Sequence, residues 1–381
     1  MGKSDEWAGC DKPWQALAAI MDWVSYMDTS KAGKPYQSHA VVAVDGTCNG
    51  LQHLSAMTGD DVVGSHVNLA PGDKPQDIYQ FVGERLFPKL QRLSKARTKE
   101  GKLAKYWVGL AVDGKLPRKL LKLPVMILAY SATKTAFKKY TRETLDGKGL
   151  EVGLDPKPPR TGDAKADLQA WIIRTQRINL FVRLIWDTIQ ENLPRQMKAM
   201  QWLQDCAKLA SEGNQPIYWM TPDGFVVRHF YGKLSPKWVR TNLDGQVHRL
   251  KLWEPTKELD GAKQRLGISP NFVHSLDAAA ARGCIIRAEE EGHVTAFASV
   301  HDSFGTHAAD MERLYDYLRL AFVDVHAVGA LQRFRLACLV VMRDEMMARL
   351  HVDYLAASEM ADEKLPSVPD MGDLRLEEVL H

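Results

Sequence analysis

The run VAVDGTCNGLQHLSAM, Val42 to Met57, restricts the fold more than any other stretch of the chain. Its β-branched start, with Val41, Val42 and Val44, predicts a buried strand. The strand ends on an acid, Asp45, then meets a small flexible patch, Gly46 to Gly50, and a helix from Leu51. An acid at the carboxyl end of a strand, followed at once by glycine, can hold a cation against bare backbone. Strand-end aspartates also cap helices and form turns, so this motif alone leaves both readings open. A second acid in a matching context, Asp302 in SVHDSFGTH, favours the cation. Between them lies RKLLKLPVMILAY, in which Arg118, Lys122, Met126 and Tyr130 recur every four residues and share one broad helical face. Pro124 inside that run should kink or split the helix.

The chain has 381 residues, enough for two or three subdomains around a large core. No apolar run is long enough to cross a bilayer, and no signal-peptide pattern opens the sequence. Its five cysteines are scattered without a CxxC pair, which argues against a disulfide frame or structural zinc. The net charge is only +3, but it is unevenly spread. Between Arg85 and Arg142 there are sixteen Lys or Arg against two acids, with Tyr106, Trp107, Tyr130 and Tyr140 interleaved. A solvated basic face is one reading of that block; contact with a polyanion is the reading its extreme bias favours.

Along the chain, residues 11–28 read as a helix capped by Asp11, with Pro13 in its first turn and Leu17, Ile20, Met21 and Val24 on one face. A further helix spans about 76–93, and Lys95 to Lys105 reads as a polar, mobile surface segment. Residues 145–165 are rich in Gly and Pro and suggest a loop or boundary. Helices follow over 166–193 and on to about 211. Two hairpins come next, one around Pro222-Asp223-Gly224 and one over 237–253 around Asp244-Gly245. Ser269-Pro270 should open a helix carrying His274 in its first turns. His293–Val300 reads as a strand, with a return strand from Phe304, and amphipathic helices over 310–328 and 331–350 follow.

These pieces permit phosphoryl transfer, which needs divalent metal, positive charge on phosphate, and alignment. Two aspartates from distant segments can bind two Mg²⁺ ions, with the Gly46 carbonyl as a further ligand. Arg118 and Lys122 can then hold a triphosphate, Arg as a planar fork and Lys as a point charge; two solvated charges on a basic helix are the plain alternative. Other chemistries fit less well. GTCNG lacks the ending of a phosphate-binding Walker loop, no GxSxG elbow is present, and His53 and His66 have no zinc spacing.

The same residues resemble the C-terminal, catalytic part of single-subunit RNA polymerases of the odd-T-phage and mitochondrial type. DGTCNGLQHLSAM is similar to that family's motif A, RKLLKLPVMILAY to motif B, and VHDSFG to motif C; VNLAPGDKPQDIY, TPDGF, SPNFVHS and LPSVPDMGDLRL also match, in order. The resemblance runs from about residue 14 to 380. It implies an α+β right-hand architecture: a palm with a small antiparallel sheet over 1–69 and again over 211–381, and a mainly helical fingers subdomain over 70–210. The family's thumb and N-terminal domain have no counterpart here.

The resemblance assigns Asp45 and Asp302 to catalysis and, with Gly46, to two Mg²⁺ ions. It assigns Arg118, Lys122, Tyr130 and His274 to the incoming nucleotide, and supporting roles to Gly50 and His301. Related DNA polymerases carry a glutamate at the position of Gly50, so the glycine leaves room for a ribose 2′-hydroxyl. Ser131 and Pro124 depart from the family pattern in motif B. The expected function is that of the catalytic subunit of a phage DNA-dependent RNA polymerase in the cytoplasm of an infected bacterium. Its partners would be a DNA template, an RNA transcript, nucleoside triphosphates, and a second protein subunit supplying the N-terminal half and thumb; no membrane is implied. The alternatives are a related DNA polymerase and a catalytically silent nucleic-acid-binding subunit.

Overall fold

Among the described residues, seven helices begin where a short polar side chain accepts one or two of their first backbone N–H groups: Asp60, Asp77, Thr98, Thr133, Asp163, Asp260 and Asp353. The structure, a computed structural model, describes residues 6–147, 153–157 and 160–380. Its elements run α1 (Pro13–Lys31), β1 (Val41–Asp45), α2 (Asn49–Thr58), α3 (Asp61–His66), α4 (Ile78–Ser94), α5 (Lys99–Gly109), α6 (Arg118–Met126), α7 (Lys134–Asp146), α8 (Ala164–Asn192) and α9 (Pro194–Ala210). There follow β2 (Ile217–Met220), β3 (Val226–His229), β4 (Gly232–Leu243), β5 (Gln246–Leu259), α10 (Gly261–Glu290), β6 (Ala298–Val300), β7 (Ser303–His307), α11 (Met311–Ala327), α12 (Ala330–Leu350) and α13 (Tyr354–Lys364). The class is α+β: among the described residues, helices with three small antiparallel sheets.

The chain divides into two compact units. The first takes the residues up to Gly46 together with Asp277–Asp324. Its sheet has the order β1-β7-β6, with β7 in the middle. Phe304 of β7 packs with Cys284 and Ala288 of α10, Val294, and Leu314 and Ala321 of α11, with Val44 of β1 partly buried against them. Glycine at 305 is a packing requirement. A Cβ there would lie 2.7 Å from Val41 Cγ1 and 2.8 Å from the Ala298 carbonyl oxygen, so a side chain would wedge β7 from both neighbours.

The second unit takes Thr47–Leu276 and Val325–Val379. Helices α4 to α8 pack on one another, and α2 packs on α9 and on a 3₁₀ turn at Leu128–Tyr130. The β2-β3 hairpin lies on α12, which also carries α13. His53 on α2 and His326 are both buried, with His53 Nδ1 2.9 Å from His326 Nε2. Burial, then the neighbouring His53, holds the His326 imidazole well below the usual histidine range, which keeps it neutral.

Several expectations change. The β1 strand forms where the valines place it, but it is an edge strand and not a buried one: Val41 is 59% exposed. Asp11 does not cap α1; Lys12 occupies that position without a side-chain cap bond. The apolar face of α1 is uncovered, with Trp14 76% exposed and Met21 62% exposed. Lys95 to Lys105 lies largely at the surface, but from Lys99 on it is a helix and not a loose segment. Thr98 caps α5, and the charged run hides buried Gly101, Ala104 and Trp107. The helix with His274 starts at Gly261, capped by Asp260 through Lys263 N–H, and runs through Pro270, so His274 lies near its middle. Only Ala298–Val300 of the strand expected from His293 is extended in the sheet, because His293 turns the chain with a φ of +54°. In α6 the helix passes through Pro124, ends at Met126 and tightens into the 3₁₀ turn. Part of the Gly- and Pro-rich stretch, at 148–152 and 158–159, lies outside the described residues.

Trp107 shows that α5 is core. It is fully buried, stacked on Phe181 at 4.5 Å, and donates its indole N–H to the Arg177 carbonyl at 3.0 Å. Trp107→Ala should destabilise the protein by about 3–5 kcal/mol, the usual range for deleting a buried aromatic side chain. Urea denaturation measures this; a loss under about 1 kcal/mol would return α5 to the surface.

Candidate active site

The acidic half of the site is built by one strand pairing. β1 and β7 are antiparallel, with Asp45 opposite Ser303 and Val44 opposite Phe304. β6 and β7 are joined by a two-residue turn, His301-Asp302, with His301 at a φ of +54°. The Gly46 N–H donates to the Asp302 carbonyl at 3.0 Å, so the two aspartate-bearing segments are fastened through backbone. Sequence positions 257 residues apart (302 − 45) thereby become neighbours in one sheet.

Asp302 is partly buried, and its carboxyl is pushed up from the usual carboxylate range, chiefly by burial and then by the negative charges of Asp45 and Asp277. A backbone hydrogen bond and the nearby His301 act in the opposite direction. Like charges gathered in one place fit a cation that would neutralise them. Among the described residues no group of three or more His, Cys, Asp or Glu side chains could hold a metal. Two carboxylates with backbone and substrate oxygens are the donor set that suits Mg²⁺, which retains water and takes few protein ligands.

The basic half lies in the second unit. Arg118 opens α6 and Lys122 follows one turn later, both exposed. Arg118 Nε donates to Asp77 Oδ2 at 2.5 Å, and its guanidinium carbon lies 4.6 Å from the centroid of the Tyr79 ring. Tyr130 closes the 3₁₀ turn, and its ring centroid is 4.8 Å from that of His274. That turn is held by Ser269, whose hydroxyl donates to the Ala129 carbonyl at 2.8 Å. Ser131 takes a left-handed conformation, φ +56°, and its hydroxyl accepts from Gln204 Nε2 at 3.1 Å. Gly50 is buried in α2 against the same turn. A Cβ there would sit 2.6 Å from Ala129 Cβ and 3.2 Å from the Tyr130 ring. The structure thus brings together Gly50, Tyr130 and His274 in one unit and Asp45, Gly46, His301 and Asp302 in the other.

A family model for DNA-dependent RNA polymerase matches residues 1–380. The chain belongs to the DNA-dependent RNA polymerase family.

The chain is 30% identical to T7 RNA polymerase of Escherichia phage T7, with 98% of this chain and 42% of that protein covered. It is 28% identical to the mitochondrial DNA-directed RNA polymerase of Mus musculus and 31% identical to the chloroplastic DNA-directed RNA polymerase 3 of Nicotiana sylvestris, covering 29% and 34% of those proteins. The chain therefore spans less than half the length of the curated relatives it matches.

Two residues of this RNA polymerase family member escape a reading of the sequence. Asp277 stands three positions after His274 on α10 and adds negative charge at Asp302. Asp77 grips Arg118. Asp77 is legible as a helix cap, but nothing in the sequence pairs it with an arginine 41 positions away (118 − 77).

Asp302→Asn should raise the thermal midpoint at pH 7 without added divalent cation. The folded-state carboxyl binds its proton more tightly than the unfolded one, so the charge costs stability above the raised value. That cost fades as pH falls through it, and the difference between variant and wild type should shrink towards pH 4, as scanning calorimetry will register. Gly50→Ala should destabilise by about 1–3 kcal/mol through overpacking. It should also move the Tyr130 ring, a change visible in near-ultraviolet circular dichroism.

Proposed function

We propose that this chain is the palm and fingers of an enzyme that extends RNA on a DNA template from ribonucleoside triphosphates. The observation that carries the proposal is the β1-β7 pairing, which joins two acidic turns in a chain of the polymerase family. Asp45 and Asp302, with the Gly46 carbonyl, would hold two Mg²⁺ ions. Bound there, the ions supply Lewis-acid activation of the attacking hydroxyl and neutralise charge on the departing pyrophosphate. His301, beside Asp302, tempers the negative charge of that turn.

In this proposal Arg118 and Lys122 hold the triphosphate, and Tyr130 with His274 forms the wall against which the sugar and base are set. Gly50 contributes by having no side chain. Its contact with Ala129 and Tyr130 keeps the aromatic ring close to α2, and the absence of a carboxylate there leaves a 2′-hydroxyl unopposed. The exposed β4-β5 ribbon carries Lys237, Arg240, Arg249 and Lys251, with Arg249 over the Trp238 ring at 4.8 Å and Lys251 over Trp253 at 4.4 Å, a surface suited to nucleic acid. The relatives carry the rest of their length in the same polypeptide as the matched part, so the comparisons lend no support to a second protein chain. A phage protein would work in the cytoplasm of its bacterial host.

The test is incorporation of labelled nucleotides on a primed DNA template. Asp45→Asn and Asp302→Asn should each lower ribonucleotide incorporation about a thousandfold, equivalent to about 4 kcal/mol of transition-state stabilisation. Unchanged incorporation in both variants would mean that these aspartates do not carry the chemistry; a wild-type chain that binds the template without incorporating would favour the silent nucleic-acid-binding alternative. Equal use of deoxyribonucleotides by the wild type would point to the DNA polymerase alternative.

A further inference from the structure

We propose that Asp77 is a positioning residue for the triphosphate, acting by fixing the orientation of the Arg118 guanidinium. The inference rests on the reading of Arg118 as a phosphate-binding residue and adds a device that prepares it. Arginine is flexible, and much of the benefit of its planar fork is lost if the head must be ordered at each binding event. Here the head is ordered beforehand. Nε is engaged by Asp77 Oδ2 at 2.5 Å, and the plane lies near the Tyr79 ring, Cζ to centroid 4.6 Å. With Nε taken, the edge formed by the two terminal amino groups is the one that can meet two phosphate oxygens.

The parts that do this are themselves fixed. The other Asp77 oxygen, Oδ1, accepts the backbone N–H groups of Tyr79 at 2.9 Å and Gln80 at 3.3 Å, so the carboxylate is held at the start of α4. Tyr79 is 4% exposed. The loop leading to Asp77 is clamped by Asn68, whose Oδ1 accepts from Gln76 N–H at 2.7 Å and whose Nδ2 donates to the Gln76 carbonyl at 3.1 Å and to Thr47 Oγ1 at 3.0 Å. Arg118, by contrast, is 49% exposed. An ion pair that open to solvent adds little to stability. A rigid carboxylate and a buried ring placed around one exposed arginine do little for the fold and much for the direction in which that arginine points.

The alternative is an ordinary surface ion pair, and the two differ in what they predict. Asp77→Ser and Asp77→Asn both keep a helix-capping oxygen. Serine is too short to reach Arg118, and asparagine removes the charge. In the purified protein on a primed template, each variant should raise the KM for ribonucleoside triphosphates about tenfold, with kcat within about twofold and an unchanged thermal midpoint. In an Arg118→Ala background Asp77→Ser should have no further effect on KM, because its action passes through the arginine. A KM that stays the same or falls in both Asp77 variants, while Arg118→Ala raises it, would overturn the positioning role alone; a fall would mean that Asp77 only screens the arginine's charge. If Arg118→Ala itself leaves KM unchanged, the phosphate-binding reading fails and this inference falls with it.

Discussion

One backbone register underlies the acidic half of the site. β1 meets β7 with Asp45 opposite Ser303, and the Gly46 N–H reaches the Asp302 carbonyl. A slip of one residue would send Asp45 to the other face of the sheet. Three features oppose that slip. Gly305 lets β1 and β6 approach β7 closely on both sides. Phe304 anchors the middle strand in a core with α10 and α11. The two-residue turn at His301-Asp302 fixes where β6 ends and β7 begins. The carboxylates are therefore gathered by hydrogen bonding and packing against their own repulsion; burial first, and that repulsion second, raise the proton affinity of Asp302.

In the other unit a similar economy of side chains sets an aromatic ring. Gly50, Ala129 and Ser269 are small, and each marks a place where α2, the 3₁₀ turn or α10 comes close. Tyr130 has its position because its neighbours lack bulk, and its ring meets His274 from α10. The basic block is also less naked than its composition suggests. Lys89 pairs with Glu191, Lys115 with Glu84 and Arg118 with Asp77. Acids supplied from outside that block or from its edges offset part of it, and the positive charges left exposed on α6 gain in definition.

Much of this was legible in the sequence. The valines before Asp45, both hairpins with their Asp-Gly turns, and most helices form where their patterns indicate. What the sequence hid has identifiable physical causes. β-branched residues mark a strand but not its place in a sheet, and β1 is an edge with exposed valines. The many charges of 95–105 mask a helix whose buried side, Gly101, Ala104 and Trp107, is spaced three residues apart. Pro270 looked like a helix start because proline favours first turns; the true start is nine residues earlier (270 − 261), at Gly261, where Asp260 does the capping. Asp77 and Asp277 matter through neighbours distant along the chain, and no local pattern encodes that.

The β4-β5 ribbon has only two strands, of 12 and 14 residues, and almost every side chain on it is exposed. Both outer edges therefore offer free peptide groups to any passing strand, a standing invitation to edge-to-edge assembly. Lysines at 233, 237 and 251, together with Pro236 and Pro255, are the features that discourage it, by charge and by missing N–H donors. The ribbon's cations thus guard solubility as well as shaping its surface. Neutralising several of them at once removes a brake on self-association, so a variant of that kind is to be judged by light scattering before its other properties are interpreted.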